Sequence, residues 1–458
     1  MVDRNSLRSL PKFKGKPLKT ARTRESPSKA IAKGRGVRTS DGHPKQRSLI
    51  VPVSMNVPSK HTTHLLYATV KINASDTPLE LVPNSSINVK KELKDEDFFH
   101  GYIERDAANS KLSRSGEFLV RSIVGQDGAE AYEIIVQIGE STKSVPVGYS
   151  PIKQFHVYGY RFESMAALVA FHRRNKMPID EEGTLIRTGI PRDRWLLHAN
   201  NIKKRRAISS GSTGTIHLAS LSVGLLQKVN IALRSMHRKL DAIEKARLQL
   251  EVEFIYYFDH PNVLKIFGCC PFDSPVLIAA ELATGGSLLD QIQMRPGPSA
   301  EDRRGFVLGA CTGLAYLESR SIIDKYITAC KILLDDKGQV KLSDFGLSIL
   351  DYDLLEKTKK CIPFRHLAVE VFEKNKFMVG SDVWMFGVLI WEIYNDGQKP
   401  YEDAKDMDEV KAAVLGGRRV DNANGAIPTD LYPICVQCFR QKPSDRPTFE
   451  LIYGMLTA

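Results

Sequence analysis

The 458-residue chain is 42% hydrophobic and 26% charged, an ordinary soluble composition with length enough for two or three domains. Its net charge of +12 is uneven: residues 1–48 hold 14 Lys/Arg against Asp3, Glu25 and Asp41, and the remainder is close to neutral. No run approaches the roughly eighteen apolar residues of a membrane span, and the basic N-terminus lacks an apolar signal core, so the chain is expected to be cytoplasmic.

In chain order, residues 1–48 are rich in Pro, Ser, Gly and Thr and cannot offset their ordering entropy, which predicts a disordered basic tail. Its charge suits an acidic membrane surface, worth about 1 kcal/mol per basic residue, and so peripheral membrane association; a solvated linker is the alternative, and nucleic acid is not expected. Residues 49–96, with a strand-like HLLYATVKI at 64–72, form a linker without an assigned fold. Residues 97–190 are compact α+β: a polar helix in RDAANSKL, strands in GEFLVRS, AYEIIVQI and FHVYGY, then an amphipathic helix in SMAALVAFHRR. After a linker at 191–200, residues 201–458 place short strands before long helices, the pattern of a two-lobed domain. AEDRRGFVLGACTGLAYLES aligns Phe306, Ala310, Leu314 and Leu317 on one helical face, and SDVWMFGVLIWEIY is apolar all round, which predicts a buried helix. The cysteines 269, 270, 311, 330, 361, 435 and 438 include one CxxC pair, Cys435 and Cys438. No second pair completes a zinc site, so buried thiols are expected.

In GEFLVRS, alternation sets Phe118 and Val120 on one face and Leu119 with Arg121 on the other. Arginine is rarely buried without a partner, and its planar fork pairs with a carboxylate or a phosphate; both a structural salt bridge and an anion site fit. FFHGYIERDAANSKLSRSGEFLVRS resembles the opening of Src-homology 2 (SH2) domains, whose fold is a central antiparallel sheet flanked by two helices and whose ligand is phosphotyrosine. The resemblance covers about 90 residues. It implies that Arg121 meets the phosphate, that Arg105 flanks the ring, and that Ser122, Gln154 and His156 complete the site. Gln154 stands where the family's central-strand histidine is expected.

SSGSTGTIH at 209–217, NIALRSM, EVEF, DHPNVLKIFG, AAELATGGSL and LSDFGLS follow one another in the order of a protein-kinase domain, and the resemblance runs over residues 201–457. The SH2-then-kinase order and the junction GIPRDRWLLHANNI resemble the Fes/Fer group of cytoplasmic tyrosine kinases. The resemblance implies ATP and magnesium as ligands. Gly211 and Gly214 would cover the phosphates, Arg234 replaces the phosphate-holding lysine, and Glu251 is its helix partner. Ile216, Ala232 and Leu333 bracket the adenine, Glu281 and Ala283 complete the nucleotide set, Ala280 opens a back pocket, and Asp344 of DFG is the expected metal ligand.

The catalytic loop departs from that family. DKYITACK at 324–331 aligns with HRDLAARN, which puts Tyr326 at the catalytic acid and Lys331 at the second metal-binding amide. A phenol with a reference pKa near 10 is a poor proton acceptor at neutral pH, and an ammonium repels magnesium. Loss of general base action alone costs roughly 10²- to 10⁴-fold. The sequence therefore predicts an SH2-pseudokinase that binds phosphotyrosine-containing proteins and uses its kinase body as a scaffold, with ATP binding of weak magnesium dependence. A slow kinase using Asp324 and an interaction protein without either ligand are the alternatives. Glu370, Asp382 and Arg446 match the ion pair and loop-tethering acid that brace the family's large lobe, and Tyr352 is the lone tyrosine of the activation segment.

Overall fold

The computed structural model describes residues 80–83, 87, 91–125, 128–150, 152, 154–211, 214–224, 226–345 and 363–458. The basic tail, the strand-like 64–72, Tyr352 and Cys361 lie outside these residues. All described residues belong to one unit, Val53–Ala458.

The first sheet contains Glu80–Val82 (β1), Glu117–Val124 (β2), Glu130–Ile138 (β3), Ser141–Tyr149 (β4), Phe155–Val157 (β5), Tyr160–Phe162 (β6) and Thr188–Gly189 (β7), in the order β1-β6-β5-β4-β3-β2-β7. Alternation along β2 divides its neighbours. Phe118 and Val120 enter the larger core with Leu168 and Phe162, while Leu119 and Ile135 pack under the short helix Arg105–Ser110 (α1). On the opposite side Met165–Asn175 (α2) is capped by Ser164, whose hydroxyl accepts from Ala167 N at 3.2 Å. Two features depart from the sequence reading. FHVYGY forms two short strands rather than one, because Tyr158 and Gly159 take left-handed φ values of 27° and 81° and reverse the chain. The long β4 has no counterpart in that reading: STKSVPVGY interrupts its alternation with Pro146 and Gly148.

The second part begins with a five-stranded sheet of Ile202–Ser210 (β8), Gly214–Val223 (β9), Gln227–Met236 (β10), Ile266–Cys270 (β11) and Leu277–Glu281 (β12), ordered β11-β12-β10-β9-β8. Helix Ala242–Tyr256 (α3) starts in a capping box between Asp241 and Glu244. A helical lobe follows: Leu288–Ile292 (α4), Ala300–Ser319 (α5), Val369–Lys374 (α6), Val379–Tyr394 (α7), Met407–Leu415 (α8), Tyr432–Cys438 (α9) and Phe449–Thr457 (α10). The small strands Gly286–Ser287 (β13), Ile332–Leu334 (β14) and Val340–Leu342 (β15) lie at its upper edge. The sequence-predicted face of α5 is buried, and α7 is buried along nearly its whole length. Among the described residues no helix is long and apolar enough to cross a membrane. Of the described cysteines only Cys330 is exposed, and burial pushes Cys435 up to about 12.

The two parts meet through specific contacts. Phe272 lies 4.8 Å from Phe99 and 5.8 Å from Tyr102 between ring centroids. Gln249 of α3, almost wholly buried, accepts from Tyr102 N at 2.9 Å and donates to His100 O at 2.8 Å. The connecting segment threads through the second core: Trp195 O approaches Gly268 (φ 139°) so closely that a Cβ there would lie 2.0 Å away. No side chain fits at Gly268.

His100 makes this junction acid-sensitive. Burial pushes its pKa from 6.5 down to about 4, and its neutral ring pairs with Ile190 O at 2.9 Å. Between those two values the unfolded chain binds the additional proton, so stability falls as pH drops, by roughly 2 to 3 kcal/mol at pH 4.5. Denaturant melts at pH 7 and 4.5 should show a smaller loss for His100→Asn than for the parent. Equal losses would refute the assignment.

Candidate functional site

The cleft between the strand and helix lobes encloses about 790 Å³. The β8–β9 hairpin forms its upper lip, where Gly211 N donates to Gly214 O at 3.0 Å. Gly214 runs so close to β10 that a Cβ would sit 2.5 Å from Ser235 O. Ile216 and Ala232 project from the upper sheet, Leu333 from β14 below, and Glu281 and Ala283 close the side. The Glu281 carboxylate is held by Lys341 Nζ at 2.8 Å and Lys265 N at 3.1 Å, leaving the apolar walls as the main contact surface. Past the small Ala280 the lining continues to Ile266, Ile278 and Phe345. Glu251 is buried on α3 and stands apart from the lining.

Charge gathers at the inner end. Arg234 Nη2 donates to Asp344 Oδ1 at 2.5 Å, and Lys331 Nζ donates to Asp344 Oδ2 at 3.2 Å. Burial alone would raise the Asp344 pKa; the two cations and their hydrogen bonds outweigh it and hold the carboxyl below its usual value. Both oxygens of the expected metal ligand are therefore in use. A dication would have to displace an ammonium and a guanidinium from the Asp344 carboxylate, and among the described residues no group of three or more His, Cys, Asp or Glu could hold a metal. The residues present do not fit magnesium.

Tyr326 lines the cleft at the place of the expected proton acceptor. Asp324, the alternative acid, is buried and is not among the lining residues; its carboxylate accepts from Tyr326 N at 3.1 Å. Asp382 on α7 holds this loop from beneath, accepting from Asp324 N at 2.7 Å and Lys325 N at 3.0 Å. Burial, then the neighbouring Asp324 charge, pushes the Asp382 pKa well up. The loop is fixed in place and carries no carboxylate into the cleft.

The first sheet holds a separate cluster. Arg121 lies directly opposite Glu133 in the β2–β3 register, and Nε and Nη2 donate to Glu133 Oε2 at 3.0 and 2.8 Å. Arg105 is exposed at the start of α1. Two expected members require correction. Alternation turns Ser122 to the face opposite Arg121, where its hydroxyl donates to Glu130 at 2.7 Å. Gln154 is not on the strand paired with β3; that strand is β4, where Ser144 and Pro146 share the Arg121 face, and Gln154 turns back on Ser150. His156 sits farther out over Gly148, where a Cβ would fall within 2.0 Å of its ring. Glu133 was the missed residue, signalled by a single charge in the apolar run AYEIIVQ.

Comparison with known sequences addresses the larger cleft. The pattern of protein tyrosine and serine/threonine kinases matches residues 202–456. The chain belongs to the protein tyrosine kinase family. It is 29% identical to the Caenorhabditis elegans spermatocyte protein spe-8 over 82% of this chain and 74% of that one. It is 27% identical to the Fer-related kinase 1 of the same organism, over 82% and 97%. With human tyrosine-protein kinase Fer the identity is 28% over 80% and 44%.

The kinase fold keeps its large-lobe brace. Arg446 donates to Glu370 through Nη1 at 2.8 Å and Nη2 at 2.9 Å, and Ser381 Oγ adds a bond to Glu370 at 2.7 Å.

Proposed function

We propose that this chain is a kinase-family signalling protein that binds nucleotide without transferring its γ-phosphate, with an SH2-type module packed against its strand lobe. The observation that carries this reading is the clamp of Arg234 and Lys331 on Asp344 beside Tyr326. The cleft's size and its apolar walls at Ile216, Ala232 and Leu333, with Glu281 and Ala283 at its side, support ATP as its ligand. Arg234 and Lys331 supply the charge that phosphates need, so the bound nucleotide requires no metal. Tyr326 offers a phenol where transfer requires a base, and substrate hydroxyls keep their protons.

Calorimetric titration of ATP tests this. Affinity is expected to agree within about threefold in EDTA and in magnesium, and to fall about tenfold in Lys331→Ala, the loss of one charge-assisted contact. Labelled ATP and a tyrosine-rich polymer should give no more product than Asp344→Ala does. Transfer that disappears in Asp344→Ala would establish the slow kinase instead.

A further inference from the structure

Three of the five N–H groups of Arg121 are already engaged. Besides the two bonds to Glu133, Nη1 donates to Ile103 O at 2.9 Å, so the inner edge of the fork and one arm are committed. Arg121 and Glu133 are 7% and 4% exposed, respectively. Strand register fixes the pair, and Leu119 and Ile135 under α1 flank it with apolar surface. An anion arriving at Arg121 must displace Glu133 or lie beside it. Displacement leaves a buried carboxylate without its cation, and the alternative sets a phosphate dianion against a carboxylate away from water. On the same face, Ser144 Oγ is buried without a hydrogen-bond partner, a donor and acceptor suited to a neutral group.

Resting on the SH2-type reading of this module, we propose that Glu133 is its specificity-determining residue. Its carboxylate is the resident anion of the Arg121 site. The module therefore discriminates against phosphotyrosine, and a peptide side chain entering this site is uncharged, as an unmodified tyrosine is. The sequence pattern around Arg121 fits a phosphate reader; the residue across the ladder cancels the charge that would draw the phosphate.

The test uses the full chain and two degenerate peptide pools of identical flanks, one centred on phosphotyrosine and one on tyrosine, read by fluorescence anisotropy. The parent is expected to show no preference for the phosphorylated pool. Glu133→Ala should bind that pool at least about tenfold more tightly than the parent does, and Glu133→Ala with Arg121→Ala should lose the gain. Circular dichroism checks folding. If Glu133→Ala does not fold, Glu133→Gln, which keeps size and hydrogen bonding but removes the charge, is expected to show the same direction of change. A parent that prefers phosphotyrosine in an Arg121-dependent way would overturn the role of Glu133 while leaving the SH2-type reading in place. No phosphate preference in any folded Glu133 variant would overturn both.

Discussion

Arg446→Met is expected to destabilise the helical lobe by about 3 to 5 kcal/mol, the usual consequence of leaving one member of a buried ion pair behind. The Arg446 side chain is fully buried and that of Glu370 is 6% exposed. Arg446 also donates to Gly380 O at 2.6 Å and to Arg440 O at 2.9 Å, and its guanidinium lies 5.0 Å from the centre of the Trp384 ring. Removing it orphans the Glu370 carboxylate and takes a donor from the carbonyls of Gly380, Arg440 and Gln441, while Ser381 alone cannot neutralise the charge. Glu370→Leu should cost a similar amount for the converse reason. Arg446→Met with Glu370→Leu should recover part of the loss, because no buried charge is then left unpaired. Urea denaturation of the three variants measures this. A double variant that loses the sum of the two single losses would show that the pair acts as two independent groups.

That brace was legible in the sequence because its residues sit inside ordered motifs, HLAVE and SDRPTF, and the same holds for Asp382 in SDVWMFG. Helix periodicity likewise located α5, and a long stretch apolar all round located α7. Strand pairing was less visible. β4 carries a proline and a glycine, so its local pattern gives no sign of its nine residues in the ladder, and missing it displaced the expected central-strand site to Gln154. Ser122 was misplaced by sequence adjacency, since the next residue on a strand points to the other face. Arg121 shows the limit more sharply. Its sequence context admits a salt bridge or a phosphate site, and the choice depends on a residue twelve positions away whose registry no local pattern specifies.

The cleft poses the same problem. Position by position, Arg234 reads as a replaced lysine and Lys331 as a lost ligand. Only their spacing in the folded chain shows that both converge on Asp344, so that a carboxylate kept from the kinase motif is spent on an internal clamp. The retained aspartate is therefore no sign of retained metal chemistry.

The proposed reading predicts which substitutions would confer transfer. Tyr326→Asp alone should remain at the background of Asp344→Ala, because the new carboxylate would face a cleft in which Lys331 and Arg234 still occupy both oxygens of Asp344. Tyr326→Asp combined with Lys331→Asn and Arg234→Lys supplies a proton acceptor, a neutral metal ligand and a compact ammonium on the strand. This triple variant should transfer label from ATP to a tyrosine-rich polymer in magnesium at a rate at least about 10²-fold above that background, the lower end of what a positioned base contributes. EDTA should abolish the transfer. The loop that carries residue 326 is already tethered by Asp382, so the substituted acid would occupy a fixed position rather than a mobile one. If Tyr326→Asp by itself reached the rate of the triple variant, the clamp on Asp344 would not be a barrier to the metal, and the proposed lack of transfer would rest on the missing base alone.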